Sequence, residues 1–318
     1  MCGIIGIKNN SEAAMLAYMG LYAQQHRGQE GAGVVSSDGI HLHRHMGQGL
    51  VSDVFSDPNV FDELIGDSAI GHVRYSTTGN SDPKNIGPLT FNMGNYYLSI
   101  AHNGNLVNIE EIRSKLQEDG ALFQTSTDTE IIIHLIAREK GKNLVEKVEK
   151  ALLKIEGAYS LILLSPNEII AARDPHGIRP FCMGKLQETI VFSSETCALD
   201  LLGAEYLREV IPGEMIVAND EGFYSKTIVA PKKSKHCIFE YIYFSRPDSK
   251  IFGKSVDKMR RAFGRKLARE NPTDKGDIVI SVPDSSNTCA LGFAAESGIK
   301  HEIGLIRNHY VGRTFIFP

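Results

Sequence analysis

A cysteine at position 2, directly after the initiator Met and before Gly3, is the residue with the most chemistry to offer in this 318-residue chain. A small second residue permits removal of the Met, which exposes a free α-amino group on the cysteine itself. With an α-amine pKa of about 7.7–8.0 and a thiol pKa of about 8.5, one residue then carries both a nucleophile and a base suited to neutral pH. Taken alone, Met-Cys-Gly reads more simply as the start of a buried strand, and four further segments supply the chemical setting. His26-Arg27-Gly28-Gln29-Glu30-Gly31-Ala32-Gly33 is punctuated by glycines between a helix and a strand, which suits close backbone approach to a ligand. Gly71-His72-Val73-Arg74-Tyr75-Ser76-Thr77-Thr78-Gly79 places Arg74 near a strand end, where a guanidinium can fork onto a carboxylate. His102-Asn103-Gly104-Asn105 follows an apolar run, and the Asn103 amide with the Gly104 backbone N–H suits an oxyanion. Ser126-Thr127-Asp128-Thr129-Glu130 opens a helix, where Thr127 or Asp128 in isolation is an ordinary cap. His26 and His72 read as structural. His41, His43 and His45 alternate along one strand without a carboxylate or cysteine at ligand spacing, so a metal reading there has little support.

These segments must be held by strands and turns. CGIIGIK, GAGVVSS, IHLHRH, AIGHVRYS, AYSLILLS, EIIAARD, TIVFSSE and EMIVAND all have strand character, and TFNMGNYYLSIAH contains a hairpin around Met93-Gly94-Asn95. Apolar residues recurring every three or four positions predict helices over 12–25, 108–118, 129–139 and 143–155, and CALDLL opens another at Cys197. Strands in a block with grouped helices predict α+β layers. After the polar stretch Pro231-Lys232-Lys233 the pattern changes to helix Val256–Arg269, strand DIVISVP, helix TCALGFAAESG and then GLIRNHYVGRTF. That alternation is expected of a parallel α/β sheet. In helix 256–269, Val256, Met259, Phe263 and Leu267 define one buried face, and the basic run Lys258, Arg260, Arg261, Arg265, Lys266 and Arg269 reads as a solvated one.

Composition excludes several classes. Lys and Arg total 34 against 38 Asp and Glu, a net charge of −4, which argues against nucleic acid as the main partner. No apolar stretch reaches the roughly 18 residues a membrane span needs, and the N-terminus lacks signal-peptide character. The five cysteines, at 2, 182, 197, 237 and 289, include no CxxC, so a disulfide scaffold is not expected and the compartment reads as reducing and cytoplasmic. Cys182, Cys197 and Cys289 read as small buried hydrophobes.

Together and in this order, MCGIIGI, HRGQEGAG, GHVRYSTTG, AHNGNL and TSTDTE resemble the N-terminal-nucleophile glutamine amidotransferases. Tyr75-Ser76, with EGAYS, ARDPHGIRP, FEYIYFSRPDS, VPDSS and GLIRNHYVGRTF, resembles the branch that acts on phosphoribosylpyrophosphate. The resemblance implies a four-layer α/β/β/α glutaminase domain over 2–231, then from 232 to 318 the N-terminal part of a type I phosphoribosyltransferase α/β domain. It implies that Cys2 forms a thioester with the glutamine amide, and that Asn103 and Gly104 supply the oxyanion hole. Gly28, Arg74 and Asp128 bind glutamine, Arg74 through its α-carboxylate and Asp128 through its α-ammonium. Ammonia then displaces pyrophosphate from phosphoribosylpyrophosphate to give 5-phosphoribosylamine, the first step of purine synthesis. A homo-oligomer, tetramer or dimer, is expected, with no nucleic acid or membrane partner.

Two features depart from that pattern. The paired acids and Gly/Thr-rich loop that would bind ribose, Mg²⁺ and phosphate are expected beyond Pro318, so the phosphoribosyltransferase part reads as incomplete. Ser285, with Asp284, matches a loop near the Mg²⁺ site. Cys237 matches the position that ligates a [4Fe–4S] cluster in one branch, although one thiolate cannot hold a cluster that needs four. The competing readings are a stand-alone glutaminase or an amidotransferase of another branch, and a non-enzymatic glutamine-binding module.

Overall fold

The structure, a computed structural model, describes residues 2–75, 82–273 and 275–308. Ser76 to Gly79 of the arginine segment, and GLIRNHYVGRTF from position 309 onward, lie outside them. The chain divides into two compact units, one running to His236 and the other beginning at Cys237. Within the first unit the backbone N–H groups of Lys232 and Lys235 donate to the carbonyls of Pro175 and His176.

In the first unit, β1 (Gly3–Lys8), β2 (Gly31–Ser37), β3 (Leu42–Gln48) and β4 (Ser68–Arg74) belong to one sheet. A second sheet takes β5 (Leu89–Asn92), β6 (Tyr97–Leu106), β7 (Gly157–Leu164) and β8 (Ile169–Arg173). The chain returns to the first sheet with β9 (Cys182–Leu186), β10 (Thr189–Ser193) and β11 (Glu205–Glu209), then completes the second with β12 (Glu214–Asn219) and β13 (Gly222–Thr227). The orders are β11-β9-β10-β1-β4-β2-β3 and β13-β12-β8-β7-β6-β5. All these pairings are antiparallel.

Strand alternation sorts the apolar side chains into three cores. Ile4, Ile70, Ala101, Ile162, Leu164 and Phe192 meet between the sheets. Ile5, Ile7 and Val73 turn the other way, onto the helix Ala13–Ala23 with its Ala14, Ala17 and Leu21. Leu161 and Leu163 turn onto helices Thr129–Arg138 and Leu144–Leu152. The result is the four-layer α/β/β/α arrangement. The predicted hairpin pairs Asn92 with Tyr97, with Gly94 at φ +100° in its turn. Sequence pattern did not mark β9, β11 and β13. β11 and β13 lie at sheet edges, where half-exposed, charge-bearing sequences (EYLRE, GFYSKT) lack an apolar alternation.

The second unit contains helices Val256–Glu270 and Asn287–Ser297, a small hairpin (Lys250–Ile251 with Lys254–Ser255), and a parallel bridge between Val279 and His301. Its main helix buries only part of the predicted face. Val256, Arg260, Gly264 and Ala268 are the buried positions, whereas Leu267 is exposed and Met259 and Phe263 pack on the side against a Tyr241–Phe252 cluster. The cause is close helix packing on glycine: a Cβ at Gly264 would lie 1.9 Å from the Cys289 carbonyl oxygen, and one at Gly292 2.2 Å from that of Arg261. Arg260 is likewise no solvated residue. It is buried, and its Nε and Nη2 donate to the carbonyls of Tyr241 (2.6 Å) and Ser245 (2.8 Å). Cys289 is only half-buried, unlike Cys182 and Cys197.

Candidate active site

The alternation that builds the inner core also aims the site. Cys2 continues the parity of Ile4 on β1, His72 and Arg74 continue that of Ile70 on β4, and Asn103 continues that of Ala101 on β6. These four side chains therefore share the space between the sheets at one end of the sandwich. Cys2, His72, Arg74, Gly104 and Asp128 line one pocket there.

The backbone N of Cys2 donates to Asn103 Oδ1 at 3.2 Å. That bond fixes the orientation of the amide, so Asn103 Nδ2 points away from it. Nδ2 is buried and has no hydrogen-bond partner among the described residues. A buried unpaired donor costs roughly 1–3 kcal/mol, and is retained where a ligand completes it. Next to it, Gly104 leaves no room for a side chain: a Cβ would lie 2.0 Å from the Ala158 carbonyl oxygen and 2.4 Å from His102 Nε2. Gly28 is equally constrained, with its Cβ position 2.4 Å from the Arg74 carbonyl oxygen.

Arg74 donates through Nη1 to the Asn85 carbonyl (3.0 Å), and its Nε lies 3.5 Å from a carboxylate oxygen of Glu30. The Asn85 side chain in turn bonds Ser126 through both its amide nitrogen and its oxygen. Glu130 folds back to accept from the backbone of Gln124 and Thr125. With that turn satisfied, Asp128 does not cap its helix; its carboxylate accepts from the Leu106 backbone N–H at 2.9 Å and lies 3.6 Å from His102 Nδ1. Burial works against the charge of both groups. Their mutual attraction outweighs it, so the Asp128 carboxyl sits below and the His102 imidazole above its ordinary value.

The Cys2 thiol is buried, and its Sγ is 3.6 Å from the Tyr75 carbonyl oxygen. Burial alone would raise its pKa. The neighbouring His72, the amino group of residue 1 and the Tyr75 contact reverse this, and the thiol comes down to about 6. The Cys2 carbonyl accepts from Arg27 Nε at 2.9 Å. Arg27 is fully buried and ion-paired with buried Glu195, which His26 Nε2 also reaches at 2.8 Å. His72, His102, Arg27 and Glu195 are the residues that sequence reasoning passed over. For His72 a signal existed, since it lies two residues before Arg74 and so on the same strand face. Glu195 gave none, because its partner is 168 residues away.

His26, Glu195 and Cys197 bring three potential ligand atoms within 4.8 Å, but Glu195 is already occupied by the guanidinium of Arg27. The strand histidines do not converge: His43 bonds the Asp38 carboxylate (3.0 Å), whereas His45 bonds the Val54 carbonyl. In the second unit, Cys237 belongs to no group of three ligating side chains among the described residues, so those residues do not fit a [4Fe–4S] cluster. Asp284, beside Ser285, is paired with Arg307 at 3.1 Å, and no second acid joins it in a ligand group; these residues do not by themselves fit a Mg²⁺ centre.

An N-terminal cysteine between two antiparallel sheets, an orphaned amide donor beside it and a buried Arg and Asp across the pocket define a glutamine amidotransferase domain of the N-terminal-nucleophile class. A glutamine amidotransferase domain family matches residues 72–201. Over the whole chain the sequence is 49% identical to amidophosphoribosyltransferase 2, chloroplastic, of Arabidopsis thaliana, covering 56% of that protein. It is 46% identical to the amidophosphoribosyltransferase of Bacillus subtilis, covering 66%. A solved structure described as B. subtilis glutamine phosphoribosylpyrophosphate amidotransferase complexed with ADP and GMP superposes with a TM-score of 0.93, at 46% identity, over 100% of this chain and 69% of that one. This chain belongs to the amidophosphoribosyltransferase family. It spans little more than half, and at most two-thirds, of the length of these curated relatives. No helix among the described residues is long and apolar enough to cross a membrane.

Proposed function

We propose that residues 2–231 form the glutaminase half, and that 232–318 begin the phosphoribosyltransferase half, of a glutamine-dependent enzyme that makes 5-phosphoribosylamine from phosphoribosylpyrophosphate for purine synthesis. The observation that carries this is the Asn103 amide, its oxygen on the nitrogen of Cys2 and its Nδ2 buried without a partner. With the initiator Met removed, the Cys2 α-amine takes the thiol proton as the sulfur attacks the glutamine side-chain carbonyl, and the displaced electron pair becomes an oxyanion held by Asn103 Nδ2 and the Gly104 N–H. Cys2's own α-nitrogen, positioned by Asn103 Oδ1, protonates the departing ammonia and leaves a thioester. Water then hydrolyses the thioester to glutamate and returns the sulfur. Arg74 takes the α-carboxylate and Asp128 the α-ammonium, so only the free amino acid satisfies both ends, and Gly28 approaches the side-chain amide through its backbone.

The reading extends to a cytoplasmic homo-oligomer, a tetramer or a dimer, in which ammonia passes to the second site. It assigns Mg²⁺ to the phosphoribosyl half, and the described residues carry no step through it or through a cluster. In the protein carried to its relatives' full length, Cys2→Ala abolishes glutamine-dependent synthesis and spares synthesis from ammonia. Loss of both activities in a folded variant overturns the division into two sites.

A further inference from the structure

The glutaminase reading gives the two ends of the amino acid to residues on different layers. Arg74 ends β4 in the first sheet, whereas Asp128 opens the helix Thr129–Arg138 that packs on the second. A clamp in two parts recognises an α-amino acid only if the distance between the parts is fixed.

Asn85 touches both parts. It closes a short turn, Pro83–Asn85, which Asp82 caps by accepting from the Lys84 backbone N–H at 2.9 Å, and it is 2% exposed. Its backbone carbonyl accepts from Arg74 Nη1 at 3.0 Å. Its side-chain Nδ2 donates to Ser126 Oγ at 2.9 Å, and its Oδ1 accepts from the Ser126 backbone N–H at 3.2 Å. Ser126 lies two residues before Asp128 in the same turn. Two bonds from one amide to one residue fix direction as well as distance. Asn85, Arg74, Thr127 and Asp128 line the same pocket.

We propose that Asn85 is a positioning residue that sets the spacing between Arg74 and Asp128, and so makes two separate charged contacts act as one clamp on a free amino acid. This rests on the glutaminase reading and adds to it the residue that joins its two recognition ends.

The other braces hold each end to its own layer. Glu130 accepts from the backbone N–H groups of Gln124 and Thr125, which ties the turn to helix Thr129–Arg138. Arg113 Nη2 donates to the carbonyls of Thr125 and Thr127 at 3.2 and 3.3 Å, which ties it to helix Ile109–Glu118. Both helices pack on the second sheet. Glu30, which meets Arg74, lies beside β2 of the first. Asn85 holds the two ends to each other.

The test compares three ligands in the protein at its relatives' full length, with folding checked by thermal melting. Glutamine engages both ends. 4-Carbamoylbutanoate lacks only the α-ammonium, and 4-aminobutanamide lacks only the α-carboxylate; each is measured as an inhibitor of glutamine hydrolysis. In Asn85→Ala the glutamine KM rises about tenfold or more with kcat within threefold, because a misplaced bond to a charged group costs that much binding in substrate and transition state alike. The inhibition constants of the two half-ligands shift less than about threefold, since a ligand held at one end can follow that end. Ser126→Ala, a change at an exposed residue, removes one of the two bonds and raises the glutamine KM about fivefold. Ser126→Thr keeps the hydroxyl and restores it to within about twofold of wild type. Should Asn85→Ala not fold, this Ser126 pair gives the answer.

A glutamine KM within twofold of wild type in folded Asn85→Ala, an equal rise in all three constants, or a failure of Ser126→Thr to restore KM overturns the inference while glutamine hydrolysis stands. Retention of glutamine hydrolysis in Cys2→Ala would instead remove the glutaminase reading beneath it.

Discussion

Asn103→Ala isolates the proposed oxyanion donor. In the resting site Nδ2 bonds nothing among the described residues, so its loss removes no resting contact. The same change deletes the Oδ1 acceptor of the Cys2 backbone N, a single bond of 3.2 Å whose loss lowers stability by about 1 kcal/mol. The catalytic effect is much larger. A donor that meets its charge only after the sulfur attacks contributes to the transition state and not to the bound substrate, so kcat falls while KM holds. Removal of one such donor typically costs about 2.7–4 kcal/mol, or 10²–10³ in kcat. The assay is glutamate release in the protein at its relatives' full length, with kcat and KM determined separately and folding checked by thermal melting. A kcat within tenfold of wild type, or a large rise in KM at unchanged kcat, would refute the oxyanion assignment. Asn103→Asp separates the two roles of the side chain: it keeps an acceptor for the Cys2 nitrogen but places negative charge where the oxyanion forms, and so is expected to be at least as inactive as Ala.

Three further outcomes follow from the geometry. Arg74→Lys keeps the charge but loses the fork, so the glutamine KM rises about 10–100-fold at nearly constant kcat; steady-state kinetics showing a KM within twofold would dissociate Arg74 from the α-carboxylate. Asp128, its carboxyl held below the ordinary value by His102, stays ionised at pH 5, so the glutamine KM shows no rise from carboxyl protonation as pH falls to about 5. In His102→Asn burial is left to dominate and pushes the carboxyl upward, so KM climbs as pH falls toward 5, and a flat profile in that variant would contradict the pairing. Arg260→Met strands the carbonyls of Tyr241 and Ser245 and lowers the stability of the second unit by about 2–4 kcal/mol, read from the urea midpoint of that unit; an unchanged midpoint would mean that those carbonyls find other donors.

What the sequence revealed, and what it withheld, follow from the distance over which each residue's role is defined. The strands β1, β2, β4 and β6 were legible because alternation is a local property, and each residue's facing is set by its immediate neighbours. The same rule places Arg74 and Asn103 in the inner space once Ile70 and Ala101 are known to face it. Gly28 and Gly104 were legible as close approaches, although not what they approach, since the Arg74 and Ala158 carbonyls arrive from other strands. Asp128 shows the limit of local rules: its position predicts a cap, yet Glu130 serves the turn and the carboxylate reaches Leu106 on β6 instead. In the second unit a helical pattern chose Leu267 over Gly264 for the buried face, because hydrophobic periodicity cannot register that a neighbouring helix needs the space of a missing side chain.

The buried charges around the nucleophile carry this furthest. Arg27, Glu195, His72 and Cys2 come from four separate segments, and none advertises its burial by composition. A buried ion pair is a poor route to stability, since desolvation consumes most of its attraction. Its value here is positional. Arg27, held by Glu195, grips the Cys2 carbonyl, while Asn103 grips the Cys2 nitrogen, so the proposed nucleophile is fixed on both sides of its Cα. A chain terminus would otherwise fray, and a frayed nucleophile loses the alignment on which attack depends. On the proposed reading, burial of full charges at the start of β1 is the physical counterpart of placing a nucleophile at the end of a chain: the terminus would supply the free amine, and the buried Arg27–Glu195 pair supplies the rigidity that a terminus lacks.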